Sequence, residues 1–313
     1  MKITLAPMEG VMDHHMRHLL TSIGGIDLCV TEFIRVVDLR LPAKVFRRLS
    51  PELHNGSRTP SGTPVRVQLL GQNPECLAQN ADKALHVGSD GIDLNFGCPA
   101  KAVNKSRGGA ILLKSPEQLS AIVKAVRQAV PEHQTLSVKI RLGYEDKSLA
   151  IENAIAIYEA GADELAIHAR TKEEGYKPPA HWHWIAKIKD EIKIPVIANG
   201  DIFSLLDAQR CMEISGCDRL MIGRGALATP NLANVIKGEE DPYNWSQILM
   251  LMVQYLAIQP HGDKEKYLPN RIKQWLTFMQ LQQPNALNFL KYVRKIKTTS
   301  DMFSAIKAEQ LKY

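Results

Sequence analysis

The chain has 313 residues, of which 45% are hydrophobic and 23% charged, and its net charge is +6 with neutral histidines. That length and core content suit one large domain plus a smaller one, and they exclude a small fold that depends on disulfide bonds. The five cysteines form no C-x-x-C pair and no His/Cys cluster with zinc-site spacing, so we expect a reduced, cytoplasmic protein without a bound metal. Neither a signal peptide nor a membrane-length apolar run is visible, and we expect no membrane association.

Eight short runs rich in β-branched residues, each ending near Gly, Asn, Pro or Cys, predict eight strands within residues 1–241. They lie at 3–7, 28–32, 65–69, 91–95, 136–141, 164–168, 195–199 and 219–223. Amphipathic spacing predicts helices between most of them, including 74–87, 116–130, 149–160 and 205–214. This alternation is typical of an α/β fold, the (β/α)8 TIM barrel. The long interval 35–63 predicts a helix and then an excursion at the barrel mouth.

The strand signal stops near residue 242, and residues 242–313 show only helical periodicity, which predicts a small all-α helical-bundle domain. Residues 1–240 carry 29 Lys and Arg against 28 Asp and Glu, whereas residues 241–313 carry 10 against 5. A basic segment on a near-neutral body favours a polyanionic partner, and a solvated, lysine-rich surface would give the same counts.

Residues able to bind a ligand stand at nearly every predicted strand end, where a (β/α)8 barrel holds its active site. Lys139 lies within a strand, and an ammonium buried there needs an anion or a polarisable oxygen. Glycines and Arg224 after the last two strands are typical of a phosphate site. These groups indicate a phosphorylated, planar cofactor, and flavin mononucleotide (FMN) fits. The predicted cofactor residues are Pro7, Met8, Glu9, Gln68, Lys139, His168, Asn199, Gly200, Asp201, Gly223 and Arg224.

A thiol stands in the turn Asn95-Phe96-Gly97-Cys98-Pro99, directly after the fourth strand. Gly97 lets the backbone approach a flat ligand, and the amide of Asn95 offers both a donor and an acceptor. An isolated cysteine of this kind is more often a buried apolar side chain, but Cys98 is expected to face the predicted cofactor. Because a thiol with a pKa of about 8.5 is mostly protonated at neutral pH, Cys98 suits a general acid.

Six segments stand at or near the predicted strand ends, in chain order: APMEGV at 6–11, NFGCP at 95–99, VKIR at 138–141, HART at 168–171, IANGDI at 197–202 and MIGRG at 221–225. Together and in this order they resemble the tRNA-dihydrouridine synthases. The resemblance covers essentially the whole chain and is greatest to the bacterial C-type subgroup, which modifies position 16 of the tRNA D-loop. That finer assignment depends on residues 31–37 and 271–276. The resemblance implies a flavin barrel followed by a helical tRNA-binding domain, with NADPH reducing the FMN, and we expect a monomer.

The resemblance also implies roles for individual residues in reducing the uracil 5,6-double bond. Cys98 would protonate C5 after hydride addition at C6, and Asn95 would hold the target base or its ribose. Tyr176 would stack on nucleotides or anchor its own loop, and Arg35 would help to present the D-loop. On the basic faces of the C-terminal helices, the predicted tRNA contacts are Arg271, Lys273 and Arg294, with Lys291 and Lys295 beside Arg294.

One residue departs from the family pattern, since Arg107 stands where many members have glycine. Either the loop does not need a positive φ there, or its mobility differs.

Two other functions compete with this interpretation. An FMN barrel acting on a free pyrimidine, like dihydroorotate dehydrogenase, would keep the cofactor but would not need the basic helical tail. A non-catalytic RNA-binding barrel would keep the tail but would leave Gln68, Cys98 and Lys139 unexplained.

Overall fold

The computed structural model describes residues 1–258 and 267–313, and in this part of the chain eight parallel strands close into a barrel in sequence order. The strands are β1 (Lys2–Leu5), β2 (Leu28–Arg35), β3 (Val65–Leu70), β4 (Ile92–Phe96), β5 (Leu136–Gly143), β6 (Glu164–Thr171), β7 (Val196–Asn199) and β8 (Arg219–Ile222). β8 pairs with β1 and closes the ring. The predicted (β/α)8 fold is confirmed, and each predicted strand is present within three residues of its expected ends.

Helices cover the outside of the barrel. They are α1 (His14–Ile23), α2 (Ala43–Leu49), α3 (Pro74–His86), α4 (Lys101–Lys105), α5 (Pro116–Ala129), α6 (Ala150–Glu159), α7 (Trp182–Glu191), α8 (Leu205–Ser215), α9 (Arg224–Ala228) and α10 (Leu232–Lys237), with 3-10 turns at Pro51–Asn55 and Gly109–Lys114. Several begin at a side-chain cap: Asn73, Ser115 and Ser204 accept a backbone N–H at the starts of α3, α5 and α8. The predicted helix in the interval 35–63 is confirmed as α2.

Alternation along each strand separates two environments. On β4, Ile92, Leu94 and Phe96 are buried in the main core beneath the helices, whereas Asp93 and Asn95 occupy the alternate positions that point into the barrel. The barrel interior is therefore largely polar on this side, and that polarity shapes the cavity above it.

Beyond the barrel, the described residues 242–258 and 267–313 form four more helices: α11 (Trp245–Ala257), α12 (Leu268–Met279), α13 (Pro284–Val293) and α14 (Thr299–Gln310). They pack on one another, and α11 and α12 also pack on α1 and α9. The indole of Trp275 donates to the Leu227 carbonyl at 3.0 Å, and Arg271 pairs with Asp13 and donates to the Gly10 carbonyl. These contacts fix α12 against the first and last βα units of the barrel.

Across residues 1–258 and 267–313, no helix has both the length and the apolar character needed to cross a membrane.

Candidate functional site

A cavity of about 500 Å³ opens at the carboxyl ends of the strands, a volume typical of a site for a small molecule or cofactor. All eleven predicted cofactor residues line it, as do Asn95, Cys98 and Tyr176. The wall also contains side chains that were not among the predicted site residues, including Arg141, Phe203 and Phe278 of α12. The predicted chemistry therefore converges on one place, and the helical segment contributes a side chain to it.

The floor of the cavity is a set of hydrogen-bonded amides. Gln68 donates through Nε2 to Asp93 at 2.7 Å and accepts through Oε1 from Asn95 at 2.8 Å. Asp93 lies below the cavity, buried, and also accepts from Ser137 at 2.5 Å. Burial raises the pKa of Asp93 to about 6. Asp93 was missed at the sequence level, and the alternation Asp93-Leu94-Asn95 after a strand start was the signal that it faces inward.

The cationic side of the cavity centres on Lys139, which donates to Asn199 Oδ1 at 3.3 Å. Burial lowers the pKa of Lys139 to about 8, so its side chain is still mostly an ammonium at neutral pH and loses its charge in mildly alkaline solution. Burial, with neighbouring cations adding to it, lowers the pKa of His168 well below its ordinary value. His168 is therefore a neutral ring, able to donate from one nitrogen and accept at the other.

Backbone contacts, rather than its side chain, hold the loop that carries Cys98. The N–H groups of Gly97 and Cys98 both donate to Asn95 Oδ1 at 2.9 Å, and Asn104 Nδ2 donates to the Cys98 carbonyl at 3.0 Å. Burial raises the pKa of the Cys98 thiol, which keeps it protonated at neutral pH. The geometry thus presents a neutral S–H to the cavity and not a thiolate.

The same loop resolves the departure at residue 107. Arg107 has φ 57°, in the left-handed region, and the neighbouring Gly109 has φ 68°. The loop therefore does need a positive φ, and Arg107 adopts it at a backbone cost of about 1 kcal/mol. The alternative, that this chain avoids the left-handed conformation there, is wrong.

The far end of the cavity holds a cluster of arginines around one carboxylate. Asp201 pairs with the buried Arg170 and, at 3.2 Å, with Arg224. Two guanidinium groups contact the ring of Tyr176, that of Arg224 at 4.7 Å and that of Arg141 at 5.1 Å from the ring centre. Two guanidinium groups next to a single carboxylate leave an excess of positive charge, which suits a phosphate.

The predicted tRNA contacts lie in different settings. Arg35 is exposed and donates to Ser106 at 2.6 Å, at the edge of the thiol loop. Arg271 donates to the carboxylate of Asp13, and Lys273 donates to the Ile296 carbonyl at 2.9 Å. Both cationic groups therefore already have partners within the protein. Arg294 is exposed. An RNA contact by any of the four stays a prediction.

Within the described residues, no group of three or more His, Cys, Asp or Glu side chains is placed to hold a metal ion.

Comparisons with known proteins agree with this geometry. Residues 4–311 match the family model described as dihydrouridine synthase (Dus). The tRNA-dihydrouridine(16) synthase of Shewanella oneidensis is 55% identical over 310 residues, covering 99% of this chain and 98% of the relative. That of Escherichia coli K12 is 50% identical over 309 residues, covering 98% of each.

Among solved structures, an old yellow enzyme homologue from Zymomonas mobilis is similar with a TM-score of 0.53 at 13% identity, covering 78% of this chain and 90% of its own. A morphinone reductase has the same TM-score at 12% identity and covers 78% of this chain and 89% of its own. At these identities the similarity establishes the barrel fold alone.

Proposed function

Because this chain belongs to the dihydrouridine synthase family, we propose that it reduces the C5–C6 double bond of uridine at position 16 of the tRNA D-loop. The two relatives described above, both named for that position, share 55% and 50% identity along nearly the whole chain. The observation that carries the proposal is that one cavity gathers a protonated thiol, an amide floor and a cationic end.

FMN is the cofactor that we propose for this cavity, and the residues present fit it. The excess positive charge around Arg224 and Arg170 suits its phosphate, while Lys139 suits the oxygen of the ring that gains negative charge on reduction. Gln68 would meet the pyrimidine edge of the ring. When bound and reduced by NADPH, the flavin supplies the hydride that adds at C6 of uracil.

Cys98 then donates the proton that C5 needs, so that the two atoms of the double bond gain one hydride and one proton. Its raised pKa favours this role over nucleophilic attack, which needs a thiolate. Asn95 has one amide hydrogen not used in the floor, and that hydrogen is available to the target base or its ribose.

We also propose that residues 242–313 dock the tRNA. Lys291, Arg294 and Lys295 are exposed together at the end of α13, and Tyr176, which lines the cavity, is 53% exposed. Phosphates would contact the basic group, and the splayed uridine would enter past Tyr176. We place the enzyme in the cytoplasm, where tRNA is modified, and propose that it acts as a monomer.

The test uses purified protein and tRNA from a strain that lacks the corresponding gene. We expect a yellow protein that releases FMN on denaturation and, with NADPH, introduces dihydrouridine at position 16, read by mass spectrometry of nuclease fragments. A colourless protein after flavin-supplemented expression would refute the cofactor. If the protein reduced a free pyrimidine but introduced no dihydrouridine into tRNA, the alternative function, an FMN oxidoreductase that acts on a free pyrimidine, would be favoured instead.

A further inference from the structure

A chain of hydrogen bonds connects the buried Asp93 to the loop that carries the thiol. The backbone N–H groups of Gly97 and Cys98 donate to Asn95 Oδ1. Asn95 Nδ2 donates to Gln68 Oε1, and Gln68 Nε2 donates to Asp93 Oδ2. Each of these bonds is between 2.7 and 2.9 Å long.

The direction of this chain is fixed at both ends. A backbone N–H can only donate, so Asn95 must turn its oxygen to the loop and its nitrogen to Gln68. Gln68 must then accept with its oxygen and donate with its nitrogen. An ionised carboxylate can only accept, so Asp93 can accept from both Gln68 and Ser137. The chain therefore ends at Asp93 with every donor facing an acceptor.

That direction determines what the floor offers to a ligand. The nitrogens of Gln68 and Asn95 each carry two hydrogens, and the chain uses one of each. Both side chains line the cavity, whereas Asp93 is buried and is not part of the cavity wall. The floor therefore keeps two spare N–H donors. That of Gln68 matches a carbonyl oxygen or an imine nitrogen at the edge of a planar ring, and that of Asn95 is the one proposed above for the target base or its ribose.

We propose that Asp93 is a positioning residue, which acts on Gln68 to keep the spare N–H donor of that amide directed at the acceptor-bearing edge of a planar ring. Since FMN is the ring in question, the inference rests on the proposed function. Burial raises the pKa of Asp93 to about 6, which leaves it ionised and acceptor-only at neutral pH. Asparagine at this position could still accept from Gln68 while donating to the hydroxyl of Ser137, but leucine could not.

The test measures the dissociation constant of FMN by titrating apoprotein and following flavin fluorescence. Asp93→Leu leaves the buried Gln68 nitrogen without its acceptor, so we expect affinity to fall about tenfold or more. Asp93→Asn should stay within about threefold of the parent. In a Gln68→Met background, Asp93→Leu should change the affinity by less than about twofold, because the effect passes through Gln68.

The control is Glu164→Gln, which alters another largely buried acid of the barrel, one that pairs with Arg66 and Arg219 away from this chain. It should lower the melting temperature but leave FMN affinity unchanged. If Asp93→Leu does not fold, Asp93→Ser replaces it in the cycle. The positioning role would be overturned if Asp93→Leu lowered FMN affinity equally in the parent and in the Gln68→Met background. A tenfold loss of FMN affinity in Asp93→Asn would overturn it as well. An apoprotein that never binds FMN would instead refute the proposed cofactor.

Discussion

Replacing Cys98 by alanine tests the proton-donor role with little disturbance of the loop. Asn95 and Asn104 bind the backbone N–H and C=O of Cys98, so the substitution removes the thiol and leaves the contacts that position it. The raised thiol pKa means that nearly every molecule carries the proton at neutral pH. The loss therefore reports the chemical step itself, and we expect reduction of tRNA to slow by about 10² to 10⁴. That factor corresponds to about 3–5 kcal/mol of transition-state stabilisation.

The assay separates the two half-reactions under anaerobic conditions. Reduction of the flavin by NADPH should keep its rate in Cys98→Ala, whereas reoxidation of the reduced flavin by tRNA should slow by the factor above. Cys76→Ala is the matched control, because this partly buried cysteine lies on α3, outside the cavity wall. Both half-reactions should be unchanged in it.

The pH dependence of the second half-reaction distinguishes an acid from a nucleophile at Cys98. A proton donor loses activity as the pH rises through its raised pKa, so its rate should be level near neutrality and fall only in alkaline solution. A thiolate nucleophile would gain activity over the same range. Unchanged tRNA-dependent reoxidation in Cys98→Ala, or a rate that climbs with pH in the parent, would refute the reasoning.

Three other outcomes are expected. The affinity of the apoprotein for FMN, measured by fluorescence titration, should fall as the pH rises above about 8, where Lys139 loses its charge. Lys139→Met should remove this pH dependence. The same pH dependence in the parent and in Lys139→Met would contradict the role of Lys139. Replacing Lys291, Arg294 and Lys295 together by Glu should abolish tRNA binding in an anisotropy assay without reducing the flavin content. If this triple variant still bound tRNA fully at moderate salt, these three side chains would be solvated surface residues and not tRNA contacts. Arg107→Gly should raise the free energy of unfolding in urea by up to about 1 kcal/mol, with Arg107→Val lower than both; a valine variant as stable as glycine would contradict the left-handed conformation.

The barrel was predictable because its signals are local. Runs of β-branched residues predicted the strands and amphipathic spacing predicted the helices, so each prediction needed only a few neighbouring residues. Strand ends were less predictable. β6 continues three residues beyond the expected end at His168, because Thr171 pairs with Gly143 across an irregularity between β5 and β6. That pairing depends on a partner strand and leaves no mark on the residues of β6 themselves.

The cavity was predictable for the same reason that the barrel was, since the carboxyl ends of all eight strands meet there. Hydrogen-bond and ion-pair partners that are distant in the sequence were not predictable. An arginine on a basic helix such as Arg271 is typical of an RNA contact. Its ion-pair partner Asp13, however, is 258 positions away in the sequence, so the sequence does not show that the guanidinium is already paired. Alternation along β4 indicates that Asp93 faces inward, but only the fold shows that Gln68 donates to Asp93 and accepts from Asn95. Residue type predicts which chemistry a side chain can perform, and the fold decides whether another residue already uses it.

The intramolecular use of Arg271 bears directly on how one uridine could be selected. α12 contacts the barrel through Arg271 at the Gly10 carbonyl, through Trp275 at the Leu227 carbonyl, and through Phe278 in the cavity wall. A single helix thus touches both the cavity and, through its packing on α13, the segment that carries the exposed Lys291. If phosphates are held there, their distance from Cys98 is set by packed helices and not by a linker. A fixed distance between the docking surface and the thiol favours one position of the tRNA over its neighbours, without requiring the cavity to recognise the surrounding sequence.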